Sequence, residues 1–184
     1  MHQLPSFWHA AARLGARVDL SMLLDADLAP DSWADCPEST LLAAGLPAPH
    51  TAALVAGQPL AVPSPFLTLA DPAYPGLLRP LPMAPPVLFY RGNLDRLLPP
   101  AVAVVGARRC SGDGARMARS LAREIARAGG TVVSGLAYGI DAAAHGAAPE
   151  STIAVVGQGL NRPFTATQQR LLDEIATLRA GGAL

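Results

Sequence analysis

The sequence predicts an α/β protein whose mostly parallel sheet is preceded by a small all-α domain. Three short apolar runs, 101–105, 131–133 and 152–156, each end at glycine-containing turn residues, and helical patterns alternate with them. Residues 1–58 show instead short helical segments separated by glycine and proline. Because continuous apolar runs are typical of strands buried on both faces, the three runs predict parallel strands joined by helices.

Composition restricts the classes of function. The 184 residues are 51% hydrophobic, which is enough to bury one core together with a small accessory module. The formal net charge is zero, so charge as a whole predicts neither a nucleic-acid partner nor a membrane partner. All 14 basic residues are arginine, and the absence of lysine excludes a Walker phosphate loop and Schiff-base catalysis.

Further classes are excluded by motifs that the sequence lacks. The two cysteines, Cys36 and Cys110, have no metal-ligand spacing, so we expect reduced thiols and neither a metal nor a cofactor. The N-terminus has no basic stretch followed by an apolar core, and no apolar run reaches the roughly 18 residues of a membrane span. We therefore expect a cytoplasmic protein without a membrane partner.

The chain divides into a domain, a linker and a second domain. Residues 1–58 predict a small helical bundle, for which the sterile-alpha-motif-like and helix-hairpin-helix classes are both open, and in which Trp8 and Trp33 serve packing. The proline-rich segment 59–65 is expected to be a stiff linker, and residues 66–184 form the α/β domain.

The α/β domain has an unusual start and end. Its proline-rich beginning is expected to wrap around the sheet and to contribute one strand, which ends in a turn at residues 91–92. A last helix is predicted from 166 to 179, and residues 183–184 look like the start of another strand. The sheet then has three or four parallel strands instead of the usual five or six, and an unpaired apolar edge. A fragment, a naturally shortened homologue, and half of an assembly such as a homodimer each explain this pattern.

The helix predicted at 112–128 has two contrasting faces. Met117, Leu121 and Ile125 lie on one side and are expected to pack on the sheet. The basic residues that share a narrow sector on the opposite side are Arg116, Arg119, Arg123 and Arg127. A solvated surface face explains this row, and a track for a phosphate backbone is the second interpretation.

The residues after the first apolar run favour anion binding. Arg108 precedes a predicted helix whose free N–H groups carry partial positive charge, and its guanidinium can hold a phosphate through two hydrogen bonds. Gly106, Gly112 and Gly114 would let the backbone approach such a ligand closely. Their spacing differs from GxGxxG, and no acidic residue is placed for a ribose, which argues against a nicotinamide dehydrogenase.

The loops after the second and third runs carry further candidates. Asp141 and His145 lie four residues apart on one helix face, where bracing of the helix is favoured over acid–base catalysis. Ser134 is conceivable as a nucleophile, but no GxSxG elbow surrounds it, and we assign no catalytic residue. Arg162 and Phe164 combine a cation and a ring, as single-stranded nucleic acid binding requires, although Phe164 fits the core equally well.

Five ordered motifs resemble those of the DNA-processing protein A (DprA, or Smf) family. They are Asp71-Pro72-Ala73-Tyr74-Pro75, Leu88-Phe89-Tyr90-Arg91-Gly92, Val104-Val105-Gly106-Ala107-Arg108, the segment 132–141 with Ala144-His145, and Thr152-Ile153-Ala154-Val155 with Gly157 and Gly159. The resemblance covers residues 66–184. It departs from the family at Phe164-Thr165, where the family usually has Tyr-Pro.

The resemblance implies a Rossmann-like domain with an incomplete, mostly parallel sheet, since the family continues beyond the point where this sequence ends. It implies a single-stranded DNA-binding protein of natural transformation and recombination, which protects incoming DNA and loads the RecA recombinase without enzymatic turnover. The positions that it assigns to nucleic-acid binding are Gly106, Ala107, Arg108, Arg109, Ser134, Gly135, Arg162 and Phe164.

Two alternatives stay open. The same glycine-lined, arginine-capped loops could hold a nucleoside phosphate, as in a sensor or a phosphoribohydrolase-like domain, although the PGGxGT signature of such hydrolases is absent. A truncated, non-functional homologue is the other alternative.

Overall fold

The computed structural model describes residues 1–94, 100–177 and 182–183, which divide between two compact units, 1–89 and 90–184. The strands are β1 (His2–Leu4), β2 (Leu60–Val62), β3 (Phe66–Thr68), β4 (Val87–Phe89), β5 (Arg91–Gly92), β6 (Ala101–Ala103), β7 (Thr131–Ser134), β8 (Thr152–Ala154) and β9 (Gly182–Ala183). The α-helices are α1 (Ser6–Leu14), α2 (Ser21–Asp25), α3 (Glu38–Ala43), α4 (Ala48–Val55), α5 (Gly112–Arg127), α6 (Ile140–His145) and α7 (Ala166–Thr177). None of these helices is long and apolar enough to cross a membrane.

The first unit contains the predicted helical bundle. Trp8 and Trp33 are both buried, with ring centroids 5.9 Å apart, so their predicted packing role is confirmed. Strands β1 and β2 pair antiparallel, which places part of the proline-rich segment 59–65 in a sheet. The sequence missed this pairing because the two strands are three residues long and far apart in the chain. The division into domains at 59–65 stays a prediction.

The proline-rich segment that follows contributes two strands instead of the one predicted. Strands β3 and β4 pair antiparallel with each other, with Phe66 opposite Phe89. Between them, Asp71 accepts hydrogen bonds from the backbone and the hydroxyl of Thr68, at 2.6 and 2.7 Å. Tyr74 donates to the Pro85 carbonyl at 2.8 Å, and burial raises the pKa of this tyrosine to about 12.

The second unit is built on a five-stranded sheet in the order β5-β9-β8-β7-β6. Strands β6 to β9 run parallel, which confirms the predicted α/β class. In place of the expected turn, residues 91–92 form β5, which pairs antiparallel with β9, and Gly92 has φ +102°. The Arg91 guanidinium is 2.8 Å from the Asp173 carboxylate, so an ion pair also links β5 to α7. The predicted strand at the end of the chain is confirmed at Ala183, whereas residues 178–181 and 184 lie outside the described part.

Helix α5 packs on α6 and β7 through small residues. Ser111 caps its N-terminus by accepting from the Gly114 amide at 3.1 Å. Its buried side chains are Ala118 and Ala122, which belong to the same core cluster as Val132. The expectation that Met117 and Leu121 face the sheet is wrong, because they are 62% and 48% exposed. Alanines allow α5 and α6 to lie close together, and the bulkier side chains occupy the flank of α5 that has no neighbouring helix.

Strand β6 forms one edge of the sheet. Within the described residues it pairs only with β7, and Ala101–Ala103 are exposed. The predicted unpaired apolar edge is therefore β6.

Candidate nucleic-acid interface

Three loops meet at the carboxyl ends of neighbouring parallel strands. The first loop (104–111) follows β6, the second loop (135–139) follows β7, and the third loop (155–165) follows β8. Because these strands are adjacent and parallel, the three loops lie along one edge of the sheet. All the residues that the sequence assigns to nucleic-acid binding lie in these loops or at the end of β7.

The first loop presents two free cations. Arg108 and Arg109 are both exposed, and within the described part of the chain neither forms an ion pair or a side-chain hydrogen bond. Ser111 accepts from one amide of the first turn of α5, that of Gly114. The two guanidinium groups are the cationic side chains of this loop and are available to an anion.

A buried carboxylate holds the first and second loops together. Asp141 is only 5% exposed and accepts hydrogen bonds from the amides of Gly106 at 3.3 Å, Gly135 at 3.2 Å and Ala137 at 3.3 Å. We call this arrangement the Asp141 clamp. It uses the N–H groups of both predicted glycines, so these amides point at a protein carboxylate and are not open to an anionic ligand.

The glycines of the site serve packing between the loops. A Cβ atom on Gly106 would lie 2.8 Å from Cγ1 of Ile140, so a side chain at this position would clash with α6. Gly139 has φ +82°, and a Cβ atom there would lie 2.2 Å from the Ala107 carbonyl oxygen and 2.7 Å from that of Arg108. The Gly114 amide donates to Ser111, and the expected close approach of a ligand to the backbone at Gly106 and Gly114 stays a prediction.

Ser134 is placed beneath the site and not on its surface. The residue is buried, and its hydroxyl donates to the Val104 carbonyl at 2.6 Å across the pair of strands. A buried hydroxyl that is already bonded is not a nucleophile and does not contact a ligand. Ser134 therefore positions the first loop from below, in place of the ligand contact that the family resemblance implies.

The second loop has a constrained backbone. Leu136 is a buried non-glycine residue at φ +60°, a conformation that persists only where the surroundings enforce it. Its carbonyl accepts from the Gln168 side chain at 3.1 Å, and the neighbouring Ala137 amide is held by Asp141. The next residue, Tyr138, is exposed. Sequence reasoning passed over Tyr138, although it stands inside the most distinctive motif of the chain.

Of the two predicted DNA contacts in the third loop, one is exposed to solvent and the other packs against the core. Arg162 is exposed, whereas Phe164 is half-buried and packs against the cluster of Leu136, Leu172 and Ile175. Thr165 and Gln168 then form a reciprocal capping box at the start of α7, with Thr165 Oγ1 and Gln168 Oε1 2.8 Å apart. The structure thus favours the core interpretation of Phe164, and the DNA contact of Arg162 stays a prediction.

The arginine row on α5 is partly neutralised by neighbours on the same helix. Arg116 pairs with Asp113, and Arg127 pairs with Glu124. Arg119 and Arg123 have no such partner in the described part of the chain. Exposed pairs of this kind are worth little free energy, so the row is a solvated face that retains some positive charge.

Asp141 and His145 do not form the predicted pair. His145 is fully buried, and its Nδ1 lies 2.7 Å from Thr152 Oγ1, which itself donates to the Val132 carbonyl at 3.0 Å. Because the threonine proton is used there, Nδ1 carries the imidazole proton and the opposite nitrogen, Nε2, is buried without a partner. Burial lowers the pKa of His145 to about 4, and the charge of Asp141 and the Ser134 backbone oppose this shift.

The lowered pKa of His145 predicts a pH-dependent stability. The unfolded imidazole takes up a proton below its ordinary pKa of 6.5 while the folded one stays neutral, so stability falls as the pH decreases from 6.5 to about 4. The loss attributable to this residue reaches about 3 kcal/mol. Urea unfolding between pH 7 and pH 4 measures it. His145→Asn should flatten this pH dependence, whereas His2→Asn, at an exposed position, should leave it unchanged; an unaltered slope in His145→Asn contradicts the assignment.

Among the described residues, no group of three or more histidine, cysteine or acidic side chains could hold a metal ion. Both cysteines are free thiols. The site is thus made of arginines, backbone and one exposed aromatic ring.

These features define an α/β protein with a parallel sheet that presents unpaired arginines beyond its edge strand. Comparison with known families gives the particular group. The family described as DNA recombination-mediator protein A matches residues 65–182, and the chain belongs to this family. The predicted DprA/Smf membership is thereby confirmed.

Relatives of this family are similar over the same region. Protein Smf of Synechocystis is 42% identical over 118 residues, which are 60% of this chain and 30% of the relative. The DNA processing protein DprA of Streptococcus pneumoniae is 44% identical over 118 residues, 60% of this chain and 40% of the relative. The chain thus spans less than half the length of these two relatives.

Solved structures show the same fold. The X-ray structure of DNA processing protein A from Streptococcus pneumoniae matches with a TM-score of 0.62 at 32% identity, over 95% of this chain and 61% of that one. DNA processing protein A from Helicobacter pylori, whose structure describes a single-stranded DNA binding mode, matches with a TM-score of 0.57 at 28% identity, over 64% of this chain and 54% of that one.

Proposed function

We propose that this chain binds single-stranded DNA through the exposed guanidinium groups of the first loop, with Arg108 as the principal phosphate contact. The observation that carries the proposal is that Arg108 is exposed and has no partner in the described residues, on a loop that the Asp141 clamp holds in place. A fixed loop loses little entropy on binding, and guanidinium groups are well suited to phosphate. Arg109 and Arg162 extend the charge along the same edge of the sheet.

The cellular role belongs to the same proposal. Family membership and the DNA-processing relatives support a role in natural transformation and recombination. We propose that the chain fulfils this role in the cytoplasm, by binding and without enzymatic turnover. Protection of incoming DNA and delivery to the RecA recombinase are the finer parts of this proposal, as is a homodimeric assembly.

The structure gives no support to the nucleotide-sensor alternative. A single nucleotide is usually held by a cluster of backbone N–H groups that surround its phosphate. Here the amides of Gly106, Gly135 and Ala137 are bound to Asp141, and the Gly114 amide is bound to Ser111. The exposed guanidinium groups of Arg108, Arg109 and Arg162 are spread over two loops, which suits an extended polyanion better than one small phosphate.

Titration of labelled oligo-dT at several salt concentrations tests the proposal. We expect Arg108→Ala to weaken binding about 10- to 100-fold, because a hydrogen-bonded charge pair is lost. The slope of log affinity against log salt should become shallower by about 0.7, the value for one phosphate contact on a single strand.

Arg127→Ala is the matched control, since Arg127 is exposed but pairs with Glu124 at the other end of α5. It should change the affinity by less than about 2-fold. Equal effects of the two substitutions, or salt-independent binding of a mononucleotide without binding of the oligomer, would refute the proposal.

A further inference from the structure

Tyr138 is the one exposed aromatic residue of this protein. All nine phenylalanine, tyrosine and tryptophan residues lie in the described part of the chain, and eight of them are buried or half-buried. Tyr138 alone is 48% exposed. Single exposed apolar side chains are common on protein surfaces, so the exposure of Tyr138 gains its meaning from its position at the edge of the candidate interface, where an amphipathic ring can cover a ligand.

The backbone is constrained on both sides of Tyr138. On one side, Leu136 is buried at φ +60° and the Ala137 amide is bound to Asp141. On the other side, Gly139 at φ +82° lies directly against the carbonyl groups of Ala107 and Arg108. The backbone of Tyr138 is thus held from both sides, and little backbone entropy remains to be lost when its ring is covered.

The same contacts bring the ring next to the cationic loop. The Ile140 amide donates to the Ala107 carbonyl at 3.3 Å, so the second loop touches the first loop within two residues of Tyr138. An exposed ring and the free guanidinium of Arg108 therefore stand on touching loops. A strand of nucleic acid presents the matching binding partners in alternation. Each phosphate, which a guanidinium can bind, is followed by a base, and the face of that base is open to a ring when the base is unpaired.

We propose that Tyr138 forms a base-stacking subsite, in which its ring covers the face of an unpaired nucleobase next to the phosphate bound by Arg108. This inference rests on the proposed function and deepens it, because it adds recognition of bases to recognition of the backbone. It also replaces Phe164, which the sequence suggested as the stacking ring and which the core instead holds.

Variants at Tyr138 test the subsite in the full chain. Tyr138→Ala should weaken oligo-dT binding about 5- to 150-fold, the range found for loss of one stacked base. Tyr138→Phe should bind as the unmodified protein does, because stacking needs the ring and not the hydroxyl. The salt slope should stay unchanged in Tyr138→Ala, since no phosphate contact is lost. An abasic oligomer with the same backbone should bind equally to both variants and to the unmodified protein.

The controls separate failure of this inference from failure of the proposed function. Leu77→Ala removes a side chain that is 76% exposed in the first unit, and it should leave binding unchanged. The thermal midpoint of Tyr138→Ala should equal that of the unmodified protein, because the ring is exposed. If Arg108→Ala weakens binding but Tyr138→Ala does not, the stacking subsite is refuted and phosphate binding stands. If the unmodified protein binds no oligomer, the proposed function itself fails, and the subsite with it.

Discussion

Asp141→Ala should destabilise the protein by about 2–4 kcal/mol and abolish most of its affinity for single-stranded DNA. The carboxylate accepts three backbone hydrogen bonds at 3.2–3.3 Å, and hydrogen bonds to a charged group are worth more than neutral ones. The loss of folding free energy is moderate because these hydrogen bonds are long and because water can reach the exposed Gly106 and Gly135 amides. Urea unfolding measures the first effect, and oligo-dT titration measures the second.

The expected loss of binding has the opposite sign from a simple charge effect. Asp141 is an anion close to a site for anions, so removal of its charge alone would strengthen DNA binding. If the Asp141 clamp matters because it holds the loops, Asp141→Asn should also weaken binding. Its amide has one acceptor oxygen, so its nitrogen must face either the Gly106 amide or the Gly135 and Ala137 amides, donor against donor. Tighter binding by Asp141→Asn would show that charge dominates and that the loops keep their places without the clamp.

Asp113→Ala is the matched control for this experiment. Asp113 is an exposed acid in the first turn of α5 and pairs with Arg116. Its loss should cost less than about 1 kcal/mol, the size of an exposed ion pair together with the helix dipole. The two substitutions remove the same charge near the same loop, and only one of them removes the clamp.

The sequence predicts the central strands of the sheet well because a short apolar run marks each of them. The apolar runs that became β6, β7 and β8 each lie within five residues and end at glycine, and their order along the chain fixes their parallel arrangement. The position of Arg108 beyond the first strand follows from the same pattern. The pairings of β1 with β2 and of β5 with β9 are different, because segments of two or three residues without periodicity depend on partners far away in the chain.

The geometry of the site depends on contacts that no local pattern reveals. The sequence shows Asp141 in the first turn of a helix, where interaction with the helix dipole explains it sufficiently. Its bond to Gly106 spans 35 residues and appears only once the loops are placed together. Likewise, Met117 and Ala118 both lie on the apolar side of α5, and the helical period does not show which of them is buried. The alanine is buried because α6 packs closely against it. A single exposed ring, Tyr138, could have been suspected from its motif but not distinguished from Phe164.

Gly139→Ala should have a large effect for a single added methyl group, because it combines a positive φ with a backbone contact of 2.2 Å. Gly139 has φ +82° and ψ −122°, a region that glycine reaches readily and other residues do not. The new Cβ atom would also lie 2.2 Å from the Ala107 carbonyl oxygen, and a backbone atom cannot turn aside as a side chain can. Backbone strain and overpacking together cost about 2–6 kcal/mol, which urea unfolding measures.

Gly129→Ala gives the reference for this comparison, because Gly129 also has a positive φ, of +77°, but a Cβ atom there would meet nothing within 4 Å. It should cost about 1–2 kcal/mol of stability, from the backbone alone, and leave DNA binding unchanged. In Gly139→Ala the first loop must move away from the second, so the Arg108 guanidinium and the Tyr138 ring separate and oligo-dT affinity falls even under conditions where the protein stays folded. Equal affinities of the two alanine variants would mean that the contact between the loops contributes only to stability, and that the phosphate site does not depend on where the second loop lies.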